Sequence, residues 1–295
     1  MTTKIIIPIL NSSFKAFQVT QWYLSKNVSI GPIFPEDLGL ILGKAPEEYQ
    51  SLSFQRSKCI RFENVDPTDS DDECRDQATM LAFLLNYFKK TNPIAVFFAV
   101  HITTIRKPRF DKIIDLPVVP DIILQRKNKY QIREGVKRKT VSDFFSVIAE
   151  AYKKNSNILL TLGRFNSALS RLELIDKIID ITISLESLID STQELTYKFS
   201  LFNALAAEKD KNKVNDTFKL LKLLYETRSL IVHGGKFSQN GKNKIKKIVE
   251  KWDDILRIAK NAIAYHLIYI FKNEVASWHK HQENLALGVE KRIIE

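Results

Sequence analysis

The sequence of 295 residues predicts an α+β domain over residues 1–140, followed by an all-α helical bundle over residues 141–295. Three observations predict this division. The first part contains stretches with β-rich composition or alternation, residues 126–139 form a strongly basic linker, and from residue 142 onward apolar residues recur with a helical period. The length is sufficient for two separate hydrophobic cores.

The first domain is predicted to alternate between strands and a helix. Its strands are expected at 4–10, 49–65 and 92–105, and its helix at 74–90. An acidic stretch, 66–73, precedes the helix and lacks the glycine and the distal glutamate of an EF-hand loop. It is therefore interpreted as acidic residues at a helix N-terminus. The role of this domain is left open between sensing, regulation and choice of substrate.

The second domain is predicted to be helical throughout. Ser142 is a good N-cap for the first helix, and a glycine pair, Gly234-Gly235, ends a later one. Helices are expected at 142–154, 170–190, 194–206 and 214–233, with one or two more within 241–295. On the last of these, His279 and His281 are predicted to be surface positions, and Trp278 a packing anchor.

Composition and charge exclude several classes of protein. The longest apolar run is too short to cross a membrane, and the N-terminus lacks the pattern of a cleavable signal, so a cytoplasmic protein without membrane contact is expected. The two cysteines have no CxxC spacing, and no metal-ligating cluster is evident. Neither a metal nor another cofactor is therefore expected.

The formal net charge of +11 is concentrated in two basic runs. Such runs attract the phosphates of nucleic acids, and RNA is the expected partner, although a solvated surface is the open alternative. The candidate RNA-binding residues are Arg126, Lys127, Lys137, Arg138 and Lys139 in the first run, and Lys236, Lys242, Lys244, Lys246 and Lys247 in the second.

An arginine interrupts the apolar stripe of the predicted helix 214–233. At 100° per residue, Arg228 lies near the middle of an arc that includes Leu224, Tyr225 and Val232. Because a buried charge needs a partner, Glu186, on the apolar arc of the helix 170–190, is predicted to pair with it. Asp180 is predicted to point away from that arc. An ion pair with a structural role alone remains the alternative.

A histidine and the glycine pair follow this arginine. Ideal helix geometry places His233 about 140° from Arg228 around the axis. Gly234-Gly235 is expected to let the last turn tighten or unwind, which would bring the two side chains closer. The second basic run begins directly afterwards, so a phosphate-containing ligand is favoured near His233.

The segment Arg228-Ser-Leu-Ile-Val-His233 resembles the R-x(4–6)-H motif of the HEPN superfamily. The surrounding order of elements is similar to the ApeA-like branch: a helix with an inward Glu186, a helix with the pattern EL-x-Y at 194–197, and LYxxRSxxVHGG at 224–235. The resemblance covers about residues 142–270 and does not extend to residues 1–140.

The resemblance implies a metal-independent endoribonuclease that acts as a homodimer or a higher homo-oligomer. Arg228 and His233 would be the catalytic pair and Glu186 a supporting acid, while Ser229 stands where many members have Asn, Asp or His. RNA would be cleaved by its own 2′-OH to leave a 2′,3′-cyclic phosphate.

The biological setting implied by the resemblance is bacterial antiviral defence or a toxin, with a trigger or regulatory protein acting through the first domain. The alternative is a non-catalytic RNA- or protein-binding module that serves as a regulatory or assembly subunit.

Overall fold

The computed structural model describes residues 2–10, 22–32, 58–63, 71–88, 95–96, 98–104, 108–115, 136–189, 194–234 and 238–288. The chain divides into two compact units, Met1–Ser146 and Val147–Glu295. The division falls within a helix rather than within the basic linker, whose residues 126–135 lie outside the described ranges.

The described part of the first unit contains a seven-stranded antiparallel sheet, one complete helix and the start of a second. The strand order is β2-β3-β4-β1-β6-β7, with β5 paired to β1. β1 lies between β4 and β6 and pairs with both, as expected for a run rich in β-branched isoleucine. The strands are β1 Thr2–Leu10, β2 Trp22–Tyr23, β3 Val28–Pro32, β4 Lys58–Glu63, β5 Ala95–Val96, β6 Phe98–Thr104 and β7 Pro108–Asp115.

The helix of this unit, α1, spans Asp71–Tyr87. It begins three residues before the predicted start at 74, because acidic residues are favourable inside the first turn as well as ahead of it. β2, β3 and β7 were not predicted. Of the predicted strand 49–65, residues 49–57 and 64–65 lie outside the described ranges.

The second half of the chain is helical, as predicted. Between residues 136 and 288, apart from the gaps at 190–193 and 235–237, no helix is long and apolar enough to cross a membrane. The helices are α2 Arg138–Lys154, α3 Ile158–Ser170, α4 Leu174–Glu186, α5 Leu195–Ala207, α6 Lys211–Val232, α7 Gln239–Glu250, α8 Trp252–Lys272, a 3₁₀ turn Val275–Ser277, and α9 Trp278–Ala286.

The helix predicted at 170–190 is present as α4, but it is shorter than predicted. α3 ends at Ser170, the backbone is extended at Arg171 and Glu173, and α4 begins at Leu174. α3 itself was not predicted. The helix in this segment therefore starts four residues later than expected, and a separate helix, α3, precedes it.

The last described helix, α9, is hydrogen-bonded to the segment that follows α4. The indole Nε1 of Trp278 donates a hydrogen bond of 2.7 Å to the carbonyl oxygen of Leu188, and Nε2 of Gln282 donates one of 3.2 Å to the same oxygen. His281 is buried and its Nε2 lies 2.8 Å from the Tyr265 hydroxyl, so its predicted surface position is wrong. Trp278 is buried, as predicted.

Candidate functional site

Glu186 and Arg228 lie side by side in the second unit. Glu186 is the last residue of α4, and its Oε2 is 4.0 Å from Nη2 of Arg228 on α6. Each of the two side chains is 27% exposed. The predicted neighbourhood is therefore present, but the pair is half-buried and lies at the edge of the helix packing rather than inside it.

Arg228 is not part of the buried face of α6 but lies next to it. The members of that face recur every three or four residues, as one face of a helix requires, and they are Thr217, Leu221, Leu224, Thr227 and Ile231. Thr227 directly precedes Arg228 and satisfies its own hydroxyl by donating to the Leu223 carbonyl. Val232, predicted to share the buried arc, is exposed.

Tyr225 is a third member of this site that sequence analysis treated as apolar. Its hydroxyl donates to Oε1 of Glu186 at 3.4 Å, and its ring packs against Phe199 of α5 at 5.0 Å between centroids. Burial, and then the charge of Glu186, raise the pKa of Tyr225, so its hydroxyl stays protonated and remains the donor. The spacing of three residues from Arg228 was the available signal, because residues three apart share a helix face.

The two carboxylate oxygens of Glu186 therefore contact different groups, the Tyr225 hydroxyl and the Arg228 guanidinium, and neither contact is short. A separation of 4.0 Å is too long for an N–H···O hydrogen bond, so the contact with Arg228 is electrostatic. Nε of Arg228 is buried and has no hydrogen-bond partner among the described residues. A carboxylate at a helix C-terminus is disfavoured by the dipole, and the cation and the hydroxyl nearby compensate for this.

His233 occupies the other side of the same helix end. It is the C-cap of α6, it is exposed, and its N–H donates to the Ser229 carbonyl at 3.0 Å. Gly234 follows with φ of 79° and donates to the Ile231 carbonyl at 3.3 Å. α6 thus ends at Val232, and of the two expected alternatives the last turn tightens rather than unwinds, because Gly234 donates to a carbonyl three residues back. An ideal helix continued to His233 places it about 140° from Arg228 around the axis.

Ser229, between them in sequence, is half-buried. Its backbone carbonyl holds the N–H of His233, which fixes the end of the helix, while the predicted role of its side chain stays a prediction.

The basic residues of α7 form an exposed face next to α6. Lys242, Lys246 and Lys247 are exposed, and the helix is capped by Ser238, whose Oγ accepts the Gly241 N–H at 3.0 Å. Lys244 is different, since it forms an ion pair with Glu226 of α6. It ties α7 to α6, so its positive charge is already partly compensated.

The other predicted RNA-binding residues precede α7 in the sequence. Lys236, Arg126 and Lys127 fall outside the described residues. Lys137 and Lys139 are exposed in the first unit, and Arg138 begins α2.

Asp180, predicted to face away from the core, is instead the most tightly bonded acid of α4. Its side chain is 3% exposed and accepts from Nη1 of Arg164 at 2.8 Å and from Nε of Arg171 at 2.9 Å. The hydrogen bond and the charge of Asp180 raise the pKa of Arg171. Arg164 belongs to α3, so this cluster fixes the α3–α4 hairpin that ends at Glu186.

Comparison of the chain with protein-family models, with curated proteins and with solved structures finds no match. The HEPN resemblance rests on the residues of the motif and their helical frame.

Proposed function

We propose that this chain is a metal-independent endoribonuclease with an HEPN-like helical domain, and that Arg228 holds the phosphate that is cleaved. The observation that carries the proposal is the state of the Arg228 guanidinium. The Arg228 side chain is 27% exposed, and its Nη2 lies 4.0 Å from Oε2 of Glu186. Its buried Nε–H has no acceptor among the described residues. A buried, unpaired donor of a charged group is costly, and an incoming phosphate oxygen would relieve that cost.

The proposed reaction uses the nucleophile that RNA itself carries. The 2′-oxygen attacks the adjacent phosphorus while the bond to the 5′-oxygen breaks, which yields a 2′,3′-cyclic phosphate and a 5′-hydroxyl. One proton leaves the 2′-OH and one proton must reach the departing oxygen, and imidazole is suited to both transfers near neutral pH. Arg228 would stabilise the charge that develops on the phosphoryl oxygens, with Glu186 orienting it.

In the proposed scheme a second copy of the chain completes the site. Since Arg228 and His233 diverge around one helix, we place the arginine of one copy opposite the histidine of another in a homodimer. The exposed lysines of α7, Lys242, Lys246 and Lys247, would hold flanking phosphates. In this scheme the protein is a cytoplasmic antiviral or toxin effector, and the first unit senses a trigger.

A second candidate function is a non-catalytic RNA- or protein-binding module. It is favoured by the exposed position of His233, on the far side of α6 from Arg228. In that case the Glu186–Arg228 contact holds α4 against α6, and the lysines of α7 provide the binding surface.

One experiment separates the two. The purified full chain is incubated with end-labelled RNA in the presence of EDTA, together with Arg228→Ala, His233→Ala and the control His279→Ala, which removes a histidine from α9. Cleavage that leaves 2′,3′-cyclic phosphate ends, and that is lost in the first two variants only, is expected. Cleavage that is absent in the wild type, or unchanged in His233→Ala, would refute the nuclease.

Mixing the two inactive variants tests the composite site. With random exchange, half of the dimers are mixed and each contains one intact site, so about a quarter of wild-type activity is expected to return. If instead wild-type protein binds RNA without cutting it, and charge reversal at Lys242 and Lys246 abolishes binding, the second candidate is correct.

A further inference from the structure

We infer that Tyr225 is a positioning residue that keeps the Nε–H of Arg228 available to a phosphate oxygen, by occupying one oxygen of Glu186. The inference rests on the proposed function for the identity of the ligand, an RNA phosphate. Its physical basis is the way in which one carboxylate is shared between two donors.

A carboxylate and a guanidinium prefer to meet through two parallel hydrogen bonds of about 2.8 Å. Glu186 and Arg228 do not reach this arrangement, since Oε2 and Nη2 are 4.0 Å apart and Nε has no acceptor among the described residues. The two side chains are adjacent and equally buried, so nothing in their burial prevents a closer contact. A second donor that competes for the carboxylate would account for the open contact.

Tyr225 is that group. Its hydroxyl donates to Oε1, the oxygen that a two-bonded contact with Arg228 would also need. The ring is fixed against Phe199, which is fully buried on α5, so the hydroxyl is held at a defined place. Because Tyr225 and Arg228 are three residues apart on α6, they approach Glu186 from the same helix face.

Removal of the hydroxyl frees Oε1. In Tyr225→Phe, Glu186 can close on Arg228 with two hydrogen bonds, and the carboxylate then competes with a phosphate for the same donors. Losing one hydrogen bond to a charged group weakens binding by about tenfold. In Glu186→Gln the competitor is neutral, so the tyrosine hydroxyl should no longer matter, and the double variant is expected to recover the affinity of Glu186→Gln alone.

The test measures binding and not cleavage. The probe is a short fluorescent 2′-O-methyl RNA oligonucleotide, which has no 2′-OH and cannot be cut, and its affinity for the full chain is measured by fluorescence anisotropy at fixed salt. The variants are Tyr225→Phe, Glu186→Gln, Tyr225→Phe with Glu186→Gln, and Arg228→Gln. Tyr197→Phe is the matched control, because it removes a hydroxyl from α5 where the ring packs on Phe218.

The expected result is a loss of about tenfold in Tyr225→Phe, recovery in the double variant, and no change in Tyr197→Phe. A purely structural role for Tyr225 would not be corrected by Glu186→Gln. If Arg228→Gln weakens binding but Tyr225→Phe does not, or if the double variant fails to recover, the inference is overturned and the proposed function stands. If Arg228→Gln binds like the wild type, or the wild type does not bind, both fail.

Discussion

Replacing Asp180 by alanine should destabilise the helical unit by about 3 kcal/mol. Hydrogen bonds to charged groups contribute about 1.5–3 kcal/mol each, and Asp180 accepts two, at 2.8 and 2.9 Å. The acid is 3% exposed, but Arg164 and Arg171 are 41% and 49% exposed and regain water when it is removed. Because the two arginines regain water, the expected loss of stability is close to the lower end of the summed range, about 3 kcal/mol.

The measurement is urea unfolding of the full chain, followed by circular dichroism at a wavelength that reports helix. The matched control is Asp176→Ala. Asp176 is an exposed acid in the first turn of the same helix, so its replacement removes the same charge without removing a buried side chain. This replacement is expected to cost less than about 1 kcal/mol, through the helix dipole and the charge of Arg171. Equal costs for the two variants would show that charge, and not the buried hydrogen bonds, is responsible.

Two further predictions concern pH and the end of α6. Burial lowers the pKa of His266 to about 3 in the folded chain, so only the unfolded chain takes up a proton there as the pH falls below about 6.5. The free energy of unfolding should therefore drop by about 2 kcal/mol between pH 7 and 5. In urea titrations, His266→Leu should show a smaller dependence of stability on pH in that range. Gly234→Ala should cost about 1 kcal/mol in the same assay, because φ is 79° and an added Cβ meets no atom within 4 Å, and Gly234→Asn should cost less. An unchanged slope in His266→Leu, or an Asn variant as unstable as the Ala variant, would contradict these explanations.

The proximity of Glu186 and Arg228 could be predicted because it follows from one physical rule. Opposite charges on two apolar stripes cannot be buried separately, and the helix period gives their faces without knowledge of the fold. The same rule could not decide how deep they lie. Thr227 occupies the buried face of α6 in place of Arg228. A threonine whose hydroxyl bonds to a carbonyl of its own helix cannot be recognised as buried from the sequence alone.

The misplacement of Asp180 has a different cause. Its burial depends on Arg164, which lies on a helix that was not predicted, and on the extended residues Arg171 and Glu173 that separate α3 from α4. A partner from another element cannot be seen in the periodicity of one segment. Tyr225 was missed for a related reason: its ring fits an apolar stripe, and only a neighbouring carboxylate reveals that its hydroxyl is used.

The carbonyl of Leu188, two residues after Glu186, receives both of its described side-chain donors from a stretch that lies about ninety positions further along the chain. A nick or a truncation ahead of Trp278 would leave that oxygen without either donor and loosen the end of α4. The carboxylate would then lose its fixed position although no residue near it had been altered. α9 therefore stabilises the position of Glu186 from a distant part of the sequence, and its deletion is expected to weaken the contact between Glu186 and Arg228.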